Sequence, residues 1–176
     1  MARLNVYFGD ENFYELERED GLLYVTLKTI YEGSLAKGTG IRFILDTGAY
    51  MTVISRSTAI HRGFDKLPKK EAVLYGFGGG IDVDYVRIPG LMILGKFRSD
   101  VPVLIPHDTY RVHHKTGEKK LLQDVLGLNV LEYYNYYIDT ANDRLFLNEN
   151  PIPRFYHERL ASGQAFHATV AEDIKK

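Results

Sequence analysis

The stretch "RFILDTGAYMTVIS", residues 42–55, places one carboxylate inside a run of residues that otherwise predicts a buried β-sheet. An apolar strand, "FIL", leads into Asp46, and a second apolar strand, "TVIS" (52–55), leads away from it. Asp46 is followed by three residues that suit a tight turn, namely Thr47, Gly48 and Ala49. A carboxylate is costly to bury unless a partner pairs with it or a reaction uses it. The segment therefore predicts either an ordinary turn or a catalytic loop whose reactive group is Asp46.

A glycine-rich segment, "YGFGGGI" (75–81), follows about thirty residues downstream. It lies at the centre of two strand-like runs over 71–90, and this arrangement predicts a long hairpin with Phe77 at its tip. Such a tip can open and close over a cleft and present backbone N–H groups to an extended peptide. The alternatives are a surface hairpin without function and a phosphate-binding loop. A phosphate loop is disfavoured because no Lys-Ser/Thr follows and no helix begins there.

A third segment, "VLGLNVL" (125–131), has a glycine after two aliphatic residues and before a short helical stretch. It lies far enough downstream for the chain to return and close a barrel beside the strand that ends at Asp46. Elsewhere, short β-branched and aromatic runs separated by Gly, Pro and Asp predict an all-β fold of roughly six to nine strands. One short helix is predicted over 55–64, a polar loop over 107–120 and a C-terminal helical extension over 151–176.

Composition narrows the classes of function. A chain of 176 residues is the size of one domain, which we place at 1–150, before the C-terminal extension. The net charge of −1, from 22 basic and 23 acidic residues, gives no electrostatic footprint for nucleic acid or an anionic membrane. The absence of cysteine excludes thiolate nucleophiles, disulfides and cysteine zinc sites. The N-terminus has no apolar segment and the longest aliphatic run is "LMIL", so we expect a soluble, cytoplasmic protein.

Two other clusters are interpreted as structural. His107, His113 and His114 lie near Asp108, but adjacent histidines point to opposite faces of a strand, so we expect no metal site and no cofactor. Four tyrosines in "YYNYY" (133–137) would suit the stacking of nucleic-acid bases, but no basic groove accompanies them. Packing in the core or at an interface is the better interpretation of these tyrosines.

Taken in order, "ILDTGA" with "TVIS", "YGFGGG" and "VLGLNVL" resemble the retropepsin family, the single-domain aspartic proteases of retroviral and related cellular and bacterial type. The resemblance covers roughly residues 20–148. It implies a closed acid-protease barrel with a flap hairpin, Asp46 as the catalytic aspartate, and Thr47 hydrogen-bonded across a dimer. Gly48 and Ala49 would support the active-site loop. Substrate would contact the flap and the cleft wall at Tyr50, Tyr75, Gly76, Phe77, Gly78, Gly79 and Ile81.

Peptide hydrolysis by carboxylates needs one ionised group and one protonated group side by side. The chain has one Asp-Thr-Gly, and the related triplets at 108–110 and 139–141 lack the glycine. The second carboxylate must therefore come from a second copy, which predicts a homodimeric endopeptidase acting on polypeptides. Two alternatives stay open: a non-catalytic dimeric peptide-binding module on the same fold, and an unrelated β-barrel ligand binder. Tyr50 departs from the small or acidic residue of many relatives, and the residues after Leu147 leave the mode of dimerisation open.

Overall fold

The computed structural model describes residues 13–29, 40–76, 79–112 and 115–149. These residues form twelve strands, two α-helices and one 3₁₀ turn, which confirms the prediction of a mainly β protein but exceeds the predicted six to nine strands, because several strands have only two or three residues. The strands are β1 (Phe13–Glu15), β2 (Glu17–Glu19), β3 (Leu22–Thr29), β4 (Ile41–Leu45), β5 (Lys69–Gly76), β6 (Gly79–Ile93), β7 (Lys96–Pro106), β8 (Tyr110–Val112), β9 (Lys119–Leu121), β10 (Val125–Leu126), β11 (Tyr134–Asp139) and β12 (Arg144–Glu149). The helices are α1 (Arg56–Arg62) and α2 (Leu128–Leu131), and the 3₁₀ turn is Phe64–Lys66.

A seven-stranded sheet carries the main core. Its order is β10-β4-β3-β6-β5, with β2 added to β3 and β7 added to β6. In β3, β4, β6 and β7, buried aliphatic and aromatic residues either alternate with more exposed residues or form continuous runs. This pattern is typical of strands that are covered on one or both faces. The buried set includes Val25, Leu27, Ile41, Phe43, Val86, Ile88, Val103 and Ile105.

Two smaller sheets complete the described part of the chain. Strands β1, β12 and β11 form an antiparallel sheet, and β8 pairs with β9 in a hairpin. Leu145 and Leu147 of β12 and Tyr134 of β11 are buried against the main core. Strands β11 and β12 form an antiparallel hairpin, in which Tyr134 pairs with Glu149 and Asp139 pairs with Arg144.

The predicted helix over 55–64 is confirmed. Ser55 is its N-cap, because its hydroxyl accepts a hydrogen bond from the Thr58 N–H at 3.3 Å. Gly63 ends the helix in the left-handed conformation, with φ of 74°, and its N–H donates to the carbonyls of Ala59 and Ile60. Ala59 is buried, so α1 packs one face against the core.

The closed barrel is wrong for the described residues. A barrel closes only when its first and last strands pair. The edge strands of the path β10-β4-β3-β6-β5 are β10 and β5, and these two strands do not pair with each other. The predicted strand 52–55 is reduced to single-residue bridges from Val53 to Leu104 and to Val125. Those bridges are the link between β7 and β10, and they are too short to count as a strand.

Two further sequence predictions need correction. The polar loop over 107–120 contains the β8–β9 hairpin, in which Tyr110 and Val112 favour a strand and Gly117, with φ of 68°, lies in the connection. The second strand of the hairpin predicted over 71–90 is longer than expected, because β6 continues through Pro89 to Ile93, and its register with β7 skips one pair at Pro89.

The C-terminal helical extension over 151–176 lies outside the described residues, and the domain boundary at 150 stays a prediction. In the part of the chain that the structure describes, no helix has the length and apolar character needed to cross a membrane. The cytoplasmic location also stays a prediction.

Candidate active site

Asp46 lies one residue beyond the last paired residue of β4, at the start of a tight turn. Its Oδ1 accepts a hydrogen bond from the Gly48 N–H at 2.8 Å, and its carbonyl accepts one from the Ala49 N–H at 3.2 Å. Asp46, Thr47 and Gly48 are exposed in the single chain. The sequence argument that Asp46 is buried is therefore wrong for one copy, because the carboxylate extends past the edge of the sheet.

Backbone hydrogen bonds fix this turn against β10 and α2. The Asp46 N–H donates to the Leu126 carbonyl at 3.3 Å, and β10 pairs in parallel with β4. On the other side of the turn, the Leu128 N–H donates to the Ala49 carbonyl at 2.8 Å. The Asn129 N–H donates to the Tyr50 carbonyl at 3.0 Å. The predicted pairing of "VLGLNVL" with the Asp46 strand is confirmed by these contacts.

Gly127 allows the two segments to come this close. A Cβ added there would lie 2.5 Å from the carbonyl carbon of Met51 and 2.6 Å from its oxygen, closer than van der Waals contact permits. The φ of Gly127 is −100°, so the glycine is needed for space and not for an unusual backbone conformation. Its N–H donates to Oγ1 of Thr52 at 3.1 Å.

Asn129 is a buried polar side chain that joins three segments, and the sequence analysis gave it no role. Its Oδ1 accepts from the Thr52 N–H at 2.7 Å and from the Thr52 hydroxyl at 2.8 Å. Its Nδ2 donates to the Pro102 carbonyl at 2.8 Å. Both Asn129 and Thr52 are almost fully buried. The signal available in the sequence was a single amide inside the apolar run "VLGLNVL", since a buried Asn must find hydrogen-bond partners.

Asp124 is a second polar residue that joins separate segments near the Asp46 turn. Its Oδ1 accepts from the Ser55 N–H at 2.7 Å, and its Oδ2 accepts from the Thr58 hydroxyl at 2.8 Å. The Asp124 carbonyl accepts from the Ile44 N–H at 2.9 Å. Burial raises the pKa of the Asp124 carboxyl, and these hydrogen bonds only partly offset that effect. Asp124 thus joins α1, β4 and the start of β10 beneath the Asp46 turn.

The predicted hairpin is present as β5 and β6, paired over eight residue pairs from Lys69–Val86 to Gly76–Gly79. Phe77 and Gly78, the predicted tip, lie outside the described residues. Tyr75 is 46% exposed near the end of β5. Gly80 lies against it, since a Cβ added at Gly80 would be 3.1 Å from the Tyr75 ring.

An apolar cluster connects the hairpin with the segment after the Asp46 turn. Its buried members are Met51, Val83 and Leu104. The partly buried residues packed against them are Tyr50, Val53, Ala72, Leu74, Ile81 and Tyr85. The structure thus brings together two of the predicted cleft residues, Tyr50 and Ile81, while Tyr75 stays outside this cluster.

The base of the hairpin carries a buried carboxylate, Asp84. Lys69 Nζ lies 2.8 Å from its Oδ2, His107 Nε2 lies 3.0 Å from its Oδ1, and Arg56 is 4.0 Å away. Burial raises the pKa of Asp84, but the hydrogen bonds from Lys69 and His107 lower it by a larger amount. The pKa of Asp84 therefore lies below its usual value. His107 is therefore part of a hydrogen-bonded cluster around Asp84. Among the described residues, no group of three His, Asp or Glu side chains is arranged to hold a metal.

Comparison with known proteins finds a matching family and similar solved structures. The family model described as aspartyl protease matches residues 32–130. A retropepsin-like aspartic protease from Rickettsia conorii is similar in structure, with a TM-score of 0.52 at 21% identity, over 78% of this chain and 89% of that one. EIAV protease in complex with the inhibitor HBY-793 is also matched, with a TM-score of 0.38 at 16% identity, over 53% of this chain and 75% of that one.

No curated protein matches the chain. The family model nevertheless spans more than half of the sequence and includes the Asp46 turn, the hairpin and the Gly127 segment. The Rickettsia structure shows that the fold is retropepsin-like. The chain belongs to the aspartyl protease family.

Proposed function

We propose that the protein is an aspartic endopeptidase that hydrolyses peptide bonds with a water activated between the Asp46 carboxylates of two copies. The observation that carries this proposal is the exposed carboxylate of Asp46, held on a turn that is fixed to both β4 and β10. Family membership excludes the unrelated β-barrel ligand binder among the alternatives.

The chemistry requires two carboxylates that share one proton. The ionised carboxylate takes a proton from water as the water oxygen attacks the scissile carbonyl carbon, and the protonated carboxylate donates its proton to the carbonyl oxygen. Proton transfer to the amide nitrogen then releases the amine product. Since the chain contains one Asp-Thr-Gly, a second copy supplies the other Asp46.

The exposed turn supports this assembly. Among the described residues, the one hydrogen bond to the Asp46 carboxylate comes from the Gly48 N–H and goes to Oδ1. Oδ2 is therefore left for a second carboxylate or a water. The Thr47 side chain is exposed and makes no hydrogen bond within the described part of the chain. In a two-fold dimer, Thr47 would hydrogen-bond across the interface, and Gly48 and Ala49 would keep the turn narrow enough for two Asp46 side chains to meet.

We assign polypeptide binding to the cleft under the β5–β6 hairpin. Tyr50 and Ile81 would form its apolar wall, since they pack in one cluster with Met51. Tyr75, Gly76, Phe77, Gly78 and Gly79 would act as the flap that covers the substrate, an assignment that rests on the sequence. The non-catalytic peptide-binding module keeps the same cleft and differs in having no turnover.

Turnover of a mixed peptide library by the wild-type protein and by Asp46→Asn tests the proposal. Asn is nearly isosteric with Asp but cannot take the proton from water, so we expect cleavage by the wild type only. Asp108→Asn is the matched control, because Asp108 also precedes Thr and is exposed. Cleavage by Asp46→Asn at the wild-type rate would contradict the proposal.

A wild-type protein that cleaves no library peptide between about pH 4 and pH 8, and binds no statine-type transition-state analogue, would favour the binding-module alternative. Sedimentation velocity on the same samples should show a dimer whose specific activity falls on dilution. A fully active monomer would exclude the shared site.

A further inference from the structure

The β8–β9 hairpin is inserted in the connection between β7 and β10. Both strands that flank this connection pair with Val53, which bridges to Leu104 of β7 and to Val125 of β10. Tyr110 is six residues from Leu104 and Leu121 is four residues from Val125, so they lie within about 20 Å and about 14 Å of these bridges. The hairpin is therefore connected on one side to β7 and on the other to β10, the strand that holds the active-site turn.

The distance from the hairpin to Asp46 has an upper bound set by the chain. Val125 pairs with Ile44, two residues before Asp46. Extended-chain geometry then places Leu121 within about 25 Å of Asp46. An extended peptide of about eight residues covers that distance. One polypeptide could thus occupy the catalytic cleft and the hairpin at the same time.

One face of the hairpin is apolar and exposed. Tyr110 lies opposite Leu121, and Val112 lies opposite Lys119 on the same face. Tyr110, Val112 and Leu121 are 53%, 54% and 52% exposed. A two-stranded hairpin has marginal stability alone, and such a face is normally covered.

The hairpin also carries cations that have no carboxylate partner among the described residues. Arg111 lies directly opposite Lys120, a like-charge pair that destabilises the hairpin. One terminal nitrogen of Arg111 is buried and has no hydrogen-bond acceptor among the described residues. Residues 110–121 contain four basic side chains and one acidic one, although the whole chain has a net charge of −1. An anionic partner would relieve this excess of positive charge.

Among the described residues, both outer edges of the hairpin are open. Strands β8 and β9 pair with each other and with no further strand in the described part of the chain. Open edges offer N–H and C=O groups to an added strand. An extended peptide can satisfy those groups, whereas lipid hydrocarbon cannot. The edges therefore favour a peptide over a membrane as the occupant.

We propose that the β8–β9 hairpin is a second substrate-docking site, which binds an acidic and apolar extended segment of the polypeptide outside the cleaved bond. The peptide would add as a strand to the hairpin edge, place its aliphatic side chains on the face of Tyr110, Val112 and Leu121, and pair its carboxylates with Arg111 and Lys120 on the opposite face. Lys119, which lies beside Val112, would attract a carboxylate at the border of the apolar face. As a docking site for substrate, it rests on the proposed endopeptidase function.

Direct binding tests the hairpin without relying on turnover. Fluorescence anisotropy would measure a labelled peptide of alternating Glu and Val against the full chain carrying Asp46→Asn, with Gln and Lys versions of the peptide for comparison. Adding Lys119→Glu with Lys120→Glu should raise the Kd of the Glu peptide roughly tenfold, and less at high salt. Lys28→Glu with Lys66→Glu is the matched control, since both lysines are exposed elsewhere.

The charge-reversed variant should bind the Lys peptide more tightly than the parent does, a result that damage to the fold would not produce. Equal binding of the Glu and Gln peptides by the parent would overturn the proposal. So would a variant whose only loss is in binding phosphatidylserine-containing vesicles, because that result assigns the hairpin to a membrane surface.

Cleavage provides the second measurement. A library peptide that the wild type cleaves should gain kcat/KM when an acidic, aliphatic segment is attached about eight residues from the scissile bond. The Lys119→Glu, Lys120→Glu variant should lose this gain through KM, with kcat unchanged. An extension that gives the wild type no gain would overturn the docking role. Absence of any cleavage would refute the proposed endopeptidase and, with it, the substrate role of the hairpin, whereas the anisotropy result would still show whether the hairpin binds acidic peptides.

Discussion

Replacing Asn129 by alanine should destabilise the protein more than most single substitutions do. The change removes three hydrogen bonds and leaves the Thr52 N–H and the Pro102 carbonyl buried without partners. A buried unsatisfied group costs about 1–3 kcal/mol, so we expect a loss of about 2–6 kcal/mol in the free energy of unfolding. That is a large part of the stability of a typical domain, about 5–15 kcal/mol.

Asn129→Asp separates the loss of the donor from the loss of side-chain volume. Oδ1 still accepts from Thr52, but the second oxygen now faces the Pro102 carbonyl, and two acceptors repel. Burial beside a carbonyl raises the pKa of such a carboxyl above its ordinary value of about 3.9. The variant regains a donor when it is protonated. Its deficit should therefore be largest at neutral pH and should shrink as pH falls.

Urea unfolding followed by circular dichroism at fixed protein concentration measures both variants, at neutral pH and at about pH 4. Asn135→Ala, an exposed change on β11, is the matched control and should cost less than about 0.5 kcal/mol. If Asn129→Ala is no worse than this control, Asn129 does not hold the three segments together. A deficit of Asn129→Asp that is independent of pH would refute the role of the Nδ2 donor.

Further predictions concern the turn and two carboxylates, the buried Asp84 and the half-buried Asp124. Thr47→Ala should raise the concentration at which the dimer dissociates and leave the circular dichroism spectrum unchanged; unaltered sedimentation would make Thr47 a simple turn residue. Gly127→Ala adds a methyl 2.5 Å from the Met51 backbone, so kcat should fall about 100-fold, and wild-type turnover would disprove the need for close approach. Asp84→Asn should destabilise the protein at neutral pH, and the difference should begin to shrink as pH falls below about 4 and be lost as the pH passes the lowered pKa of Asp84, because the carboxylate stabilises the fold only while it is ionised. Asp124→Asn should cost little at neutral pH, because burial raises the pKa of Asp124 and disfavours its charge; urea titrations at both pH values would detect the opposite result.

The parts of the fold that depend on short stretches of sequence were predictable. The turn at Asp46, the helix over 55–64 with its Ser55 cap, and the β5–β6 hairpin each follow from residues that are close along the chain. Local turn and capping chemistry acts over a few residues, so the sequence contains the necessary information.

The parts that were missed depend on contacts between distant segments. Asn129 acquires its role from Thr52, 77 residues away, and from Pro102, 27 residues away. The strand predicted over 52–55 does not form, because Val53 alone bridges two different strands, β7 and β10. The β8–β9 hairpin was not predicted, because its polar composition is typical of a loop and each of its strands has only three residues.

The parallel pairing of β10 with β4 has a consequence for the order of events during synthesis. A nascent chain contains the Asp46 turn about eighty residues before it contains Leu126, Gly127 and Asn129, which hold that turn in place. Domains fold during translation only once the residues that complete them have been made. A ribosome-bound fragment therefore carries the aspartate without the support that shapes it, and the polypeptide becomes capable of forming its active site only late in its own translation.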